Sequence, residues 1–179
     1  MDVAYQMLVR VLGVLLWSSA AWHKLRAPKE FRNILALYRI PAAPLHGLLA
    51  LGLIVTELSL ALAFCFAGAF TLACAGSAAL LLLYAGVLVR EIVAGRTDHP
   101  CGCAGPRGAA NISWALVWRN LVLAALFLVA TGSAPARPWT WLDTFTVAAA
   151  ALALVVLYLA LEMLAQTPAD KLADKTDRT

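Results

Sequence analysis

Two cysteines sit one residue apart in the stretch DHPCGCAGP, Asp98 to Pro106. Two residues of chain span about 6–7 Å, which is the upper edge of the Cα separation that a disulfide accepts. Cys101 and Cys103 can therefore close a small, strained ring. Strain raises the reduction potential, and that marks labile or catalytic disulfides rather than structural ones. Gly102 supplies the backbone freedom for closure, while Pro100 and Pro106 limit how far the loop collapses. Reactivity requires the thiolate, and Arg96, His99 and Arg107 lie close enough in sequence to favour it. Asp98 opposes them. A helix follows, with Asn111 or Ser113 as its cap, and its dipole would act in the same direction as the cations.

Two other readings of the same residues stay open. Cys101, Cys103 and His99 could bind Cu(I) or zinc, since soft thiolates at this spacing suit both. The triplet could also be an inert turn. A further pair, Cys65 and Cys74, flanks a tight turn elsewhere in the chain. It is either a second redox-active pair or two small apolar residues in packed helices.

The elements that must position these thiols are apolar. Of 179 residues, 63% are hydrophobic and 13% charged, and the mean hydropathy is +0.81. No soluble interior of this size could hold so much apolar surface, so the chain reads as an integral membrane protein. Its formal charge is +4. The basic residues lie in loops between apolar runs, which indicates positive-inside topology and lipid headgroups rather than nucleic acid.

A crossing needs roughly 20 apolar residues in a helix. Five candidate spans are expected, at about 3–22, 46–66, 71–93, 112–131 and 142–164. The expected fold is an all-α, polytopic transmembrane bundle forming a single domain, residues 1–166. The second and third spans form an antiparallel hairpin around FAGAF. A short amphipathic helix, about 29–38, lies in the interface with Phe31, Ile34, Leu35 and Leu37 on one side. The Cys-Gly-Cys loop occupies 94–111, and residues 167–179 form a disordered polar tail. Arg10, VLGVLL and SSAA also fit a secretory leader loosely, though further spans follow.

With five spans, the first loop, the dithiol loop and the tail share one side. That side carries Lys24, Arg26, Lys29, Arg32, Arg39, Arg90, Arg96, Arg107, Lys171, Lys175 and Arg178. The other has Arg137 and Arg10. The bias places the first group in the cytoplasm.

Within the spans, Glu57 is costly unless protonated or paired, and should face the interior. Thr56, Ser59 and Tyr84 are candidate neighbours. Arg119 could snorkel, reach inward to Glu57 or hold the dithiol loop, with Asn120 beside it. Trp114 and Trp118 read as interfacial anchors, and Glu162 as interfacial.

Three stretches carry a resemblance: HKLRAPKEFRNILALYRIP after the first span, Glu57 in the second, and CGCAGP followed by ISWALVWRNLVLAAL. They are similar to the K-L-x-x-P-x-x-F segment, the intramembrane glutamate and the C-G-C-x-G loop with S-W-x-L-x-x-R-N of the methylamine utilisation protein MauE family, related to DoxX. The resemblance covers roughly residues 5–165. It implies a DoxX-like four-helix bundle with one additional span in the bacterial inner membrane. It also implies a part in maturing the methylamine dehydrogenase small subunit, a disulfide-rich client, with a thioredoxin-like partner called MauD. By the same resemblance Cys101, Cys103, Arg119, Asn120 and Glu57 carry the function.

The expected function is thus thiol–disulfide exchange at Cys101 and Cys103, tuned by Arg96, His99, Arg107 and Arg119. No quinone or flavin site is visible, so no cofactor is expected and the final electron acceptor is left open. The alternatives are a non-enzymatic scaffold for a maturation partner and a copper- or zinc-handling protein. The client and its partner work outside the cytoplasm, whereas charge counting places the dithiol loop inside. Either the topology is reversed, or electrons cross from a cytosolic donor through Cys65 and Cys74.

Overall fold

The computed structural model describes residues 3–38, 43–97, 112–132, 140–142, 145–150, 152 and 156. Five α-helices organise them: α1 (Val3–Arg26), α2 (Pro28–Leu37), α3 (Ala43–Ala63), α4 (Phe70–Val93) and α5 (Trp114–Ala130). No strand occurs among the described residues. Three helical segments, Ala4–Arg26, Leu45–Ala63 and Ala67–Val93, are long and apolar enough to cross a membrane, and Trp114–Ala130 is a shorter apolar helix. The fold is an all-α membrane bundle. Of the fifth expected span, residues 145–150 are helical. Its remainder, with Glu162, and the tail lie mostly outside the described residues.

α1 and α3 pack antiparallel, as do α4 and α5. α3 and α4 form the hairpin expected around FAGAF, joined by a 3₁₀ turn over Ala67–Ala69. Lipid competes poorly for close-packed contacts, so small residues mark the seams. Ala73, Ala78, Ala85, Ala124 and Ala130 are all buried. At Gly13 a side chain has no room, because a Cβ there would run into the Phe64 ring. Leu48, Leu51, Leu62, Leu72, Leu83 and Val122 face outward, as residues on a lipid-facing surface do.

α1 and α4 run in the same direction and meet through long side chains at intervals of seven residues. The Arg10 guanidinium lies 4.5 Å from the centre of the Phe70 ring. Trp17 Nε1 donates to Ser77 Oγ at 2.8 Å. Lys24 Nζ lies 6.0 Å from the centre of the Tyr84 ring. Seven residues are nearly two full turns, so each helix presents one face to the other, with rungs about 10 Å apart.

Arg10 also closes the end of α3. Its guanidinium donates to the carbonyls of Phe64, Phe66 and Ala67 at 3.0, 3.2 and 3.3 Å. The last carbonyls of a helix lack internal partners and carry the negative end of its dipole, so a cation there satisfies both needs. Tyr5 OH donates to Leu126 O at 3.2 Å and ties α1 to α5. α1 is therefore a packed member of the bundle.

The first helix ends later than the apolar run predicts, at Arg26 rather than near Trp22. Arg26 stacks on Trp22 at 4.6 Å, and the helix stops only at Ala27, the residue before Pro28, where αR geometry is disfavoured. The amphipathic helix is present as α2, with Pro28 in its first turn and Phe31, Ile34 and Leu35 buried. Leu37 departs from the expected face and is exposed. Phe31 and Leu35 pack on Ala50 and Leu53, so α2 lies against the first turns of α3, beyond the end of α1.

Gly13→Ala is expected to cost about 1–3 kcal/mol, the range for overpacking a filled seam. A lowered melting temperature of the purified protein in lipid nanodiscs checks it, with Gly47→Ala, which meets nothing within 4 Å, as the control that carries the helix-propensity gain alone and should not fall.

Candidate functional site

The bundle interior carries a polar cluster built by three helices. Glu57 on α3 is fully buried. Its Oε1 accepts from Lys24 Nζ at 2.6 Å and from Tyr84 OH at 2.8 Å. Helical side chains lean toward their own N-terminus. Lys24 follows this rule: it reaches back along α1, where its ammonium also meets Ala20 O at 3.5 Å. The Phe31 ring of α2 covers the ammonium, 5.3 Å away. An ion pair withdrawn from water holds only when its geometry and hydrogen bonds offset desolvation, and here Tyr84 and the Phe31 face supply the rest of the shell.

Lys24 is the residue that sequence reasoning missed. It was assigned to the basic first loop, yet it is 5% exposed and bonded to Glu57. The signal was its place seven residues after Trp17 and fourteen after Arg10. Tyr84 is the expected neighbour of Glu57 that is found. Thr56 instead donates to Gly52 O at 2.8 Å, and Ser59 is exposed. Arg119 lies on the exposed face of α5, beside the exposed Trp114 and Trp118, and Lys24 takes the place proposed for it at Glu57. Asn120 is buried on the inner face of α5.

A second buried acid shapes the way into the dithiol loop. Glu91, in the last turn of α4, is fully buried. Arg96 binds its carboxylate with two donors, Nε to Oε2 at 2.7 Å and Nη2 to Oε1 at 2.9 Å. The backbone repeats the contact: Arg96 N donates to Glu91 O at 2.9 Å, and Gly95 N to Ile92 O at 3.0 Å. This is a Schellman ending, and it requires a left-handed residue, which Gly95 provides at φ 68°. The hydrogen bonds that Arg96 donates to Glu91 hold its charge and raise the guanidinium pKa above its ordinary value. The sequence reading placed Arg96 beside the thiols. In the structure Arg96 pairs with Glu91 and anchors the loop's first residues.

At the other end of the loop Ile112 is buried against Ala85 and Leu88, and Ser113 occupies the N-cap of α5 without a side-chain bond. His99, Cys101, Cys103, Arg107 and Asn111 lie outside the described residues. The described residues that flank the loop, Arg96 and Ile112, lie at the end of the bundle where α1 stops and α2 lies, where Arg26, Lys29, Arg32 and Arg90 are exposed.

The other two cysteines differ from each other. Cys74 is sealed in the core. Cys65 is exposed, with its Sγ 3.8 Å from Ala61 O, and both are free thiols. Among the described residues no group of three His, Cys, Asp or Glu side chains could hold a metal ion.

A sequence model described as methylamine utilisation protein MauE matches residues 1–133. The chain belongs to the MauE family. It is 34% identical over 169 residues to methylamine utilization protein MauE of Paracoccus denitrificans, an alignment covering 94% of this chain and 91% of that one. Against MauE of Paracoccus versutus it is 33% identical over 155 residues, covering 86% and 83%. Against MauE of Methylophilus methylotrophus it is 29% identical over 172 residues, covering 95% and 90%. No solved structure matches the chain. The chain is thus a methylamine utilisation protein with membrane-spanning helices.

Removing one partner of a buried pair strands the other, at a cost of about 3–5 kcal/mol. Lys24→Met and Glu57→Met should each lose stability of that order. The double variant should regain much of it, because no uncompensated charge remains. Unfolding of the three proteins in lipid micelles by graded denaturant tests this. Equal losses in the double and the singles would contradict the pairing.

Proposed function

We propose that the protein is a thiol–disulfide exchange component of the bacterial inner membrane. It would assist maturation of the methylamine dehydrogenase small subunit together with a thioredoxin-like partner of the MauD type. The observation that carries this reading is the Cys101-Gly102-Cys103 triplet in a loop whose first residues are locked by Glu91, Gly95 and Arg96. Membership of the MauE family supplies the metabolic setting.

The chemistry is an exchange. One thiolate of the Cys101–Cys103 pair attacks a sulfur of the partner's disulfide, forming a mixed disulfide and releasing a partner thiolate. The second cysteine then attacks its neighbour's sulfur. The protein leaves with the disulfide and the partner with two thiols, so two electrons have passed to the partner. Run backward, the same steps deliver oxidising equivalents. A short ring across one glycine is a readily reduced disulfide, which suits a pair that must cycle. Arg96, His99 and Arg107, all close in sequence, favour the thiolate. Arg119, exposed on the first half of α5, joins them in tuning the pair.

Mass-shift alkylation in growing cells tests the reading. Cys101 and Cys103 should divide between dithiol and disulfide, and the balance should move when the thioredoxin-like partner is deleted. Cys101→Ser and Cys103→Ser should abolish methylamine-dependent growth while leaving the protein in the membrane. Full growth of the double-serine variant would favour a scaffold. Stoichiometric copper or zinc lost in that variant would favour metal handling.

A further inference from the structure

Glu57 and Asn120 each bury a polar atom with no hydrogen-bond partner among the described residues: Glu57 Oε2 and Asn120 Nδ2. Both residues are almost completely buried, at 0% and 1% exposure. Buried polar atoms are nearly always partnered by protein or by a bound molecule, so each such exception needs an account.

The two orphans sit at corresponding positions of α3 and α5. α3 and α5 run in the same direction, and at one level they are spanned by Phe64 and Phe127, whose ring centroids lie 5.5 Å apart. Phe64 continues the helical pattern of α3, its N–H donating to Leu60 O at 3.2 Å. Seven residues earlier on α3 is Glu57, and seven residues earlier on α5 is Asn120. Such a step returns to the same face of each helix about 10 Å along it. Two phenyl rings fill the interval at the first level. At the second, a carboxylate and an amide occupy the corresponding positions, and Oε2 and Nδ2 do not bond to each other.

The atoms are complementary: Oε2 calls for a donor and Nδ2 for an acceptor. We infer that the bundle holds a single O–H group between Glu57 and Asn120, which donates to Oε2 and accepts from Nδ2. A hydroxyl suits either orientation of the amide, because it can donate and accept. It belongs to one water, or to a small membrane-soluble alcohol or phenol. It completes a polar cross-brace from Lys24 on α1, through Glu57 on α3, to Asn120 on α5, with Tyr84 joining from α4. The inference does not depend on the thiol chemistry.

The test uses the full chain in lipid nanodiscs. Glu57→Gln puts a donor where the acceptor stood, and Asn120→Leu removes the amide. Each should lower the melting temperature, and the double variant should fall no further than the worse single, since one bridge is lost once. Shifts that simply add would overturn the inference. If a variant fails to fold, the wild-type protein still decides: a high-resolution cryo-electron map should show one non-protein feature within hydrogen-bond reach of both atoms, and side-chain density alone would overturn it. Mass spectrometry of an organic extract identifies the source. A stoichiometric hydroxyl compound in wild type, absent in Asn120→Leu, indicates the lipid-soluble ligand, and its absence from both indicates water.

Discussion

An ammonium and a carboxylate drawn out of water into an apolar bundle dominate the structure. Lys24 and Glu57 meet at 2.6 Å with almost no solvent contact. Neither could occupy its place alone, because a lone charge in a membrane interior is costly. The pair therefore fixes how α1 and α3 stand relative to each other. Lys24 has to be helical to reach Glu57, which carries α1 past the end of its apolar run to Arg26. The ammonium also needs cover, and α2 folds back to place Phe31 over it. Tyr84 brings α4 into the same arrangement.

The two ends of the bundle are closed by different devices. At one end Arg10 gathers the last carbonyls of α3 and the turn before α4. At the other, Glu91 holds Arg96 by side chain and backbone together, and the chain turns through Gly95 toward the cysteines. Between them Trp17 and Ser77 supply a neutral rung. The result is a braced frame from which the chain leaves α4 at a defined point.

Much of this frame was legible in the sequence. Hydropathy located the helices, FAGAF marked the hairpin, and the spacing of Phe31, Ile34 and Leu35 gave the amphipathic helix its buried side. Glu57 was read as interior because an acid in a span has few alternatives. Lys24 was not read, because a lysine in HKLRAPK looks like any other loop cation until its helix is known to continue. The spacing of Arg10, Trp17 and Lys24 matches that of Phe70, Ser77 and Tyr84, yet repeats of seven among unlike residues carry no hydropathy signal. The pairing of Arg96 with Glu91 was not legible, because it depends on a left-handed turn at Gly95 that brings the guanidinium back to the helix end. The matched spacing of Glu57–Phe64 and Asn120–Phe127 acquires meaning only once Phe64 and Phe127 are known to meet between two helices that run in the same sense.

The cysteine pair and the membrane frame come together in one claim, that Cys101 and Cys103 exchange disulfides with a thioredoxin-like protein. The most direct measurement is to remove the resolving thiol, as Cys103→Ser and separately as Cys101→Ser, quench cells with acid and identify adducts by mass spectrometry. One of the two variants should accumulate a mixed disulfide joining the remaining cysteine of the triplet to a thioredoxin-like partner. If neither variant yields such an adduct, and the wild-type pair stays fully reduced under the same quench, the claim is contradicted.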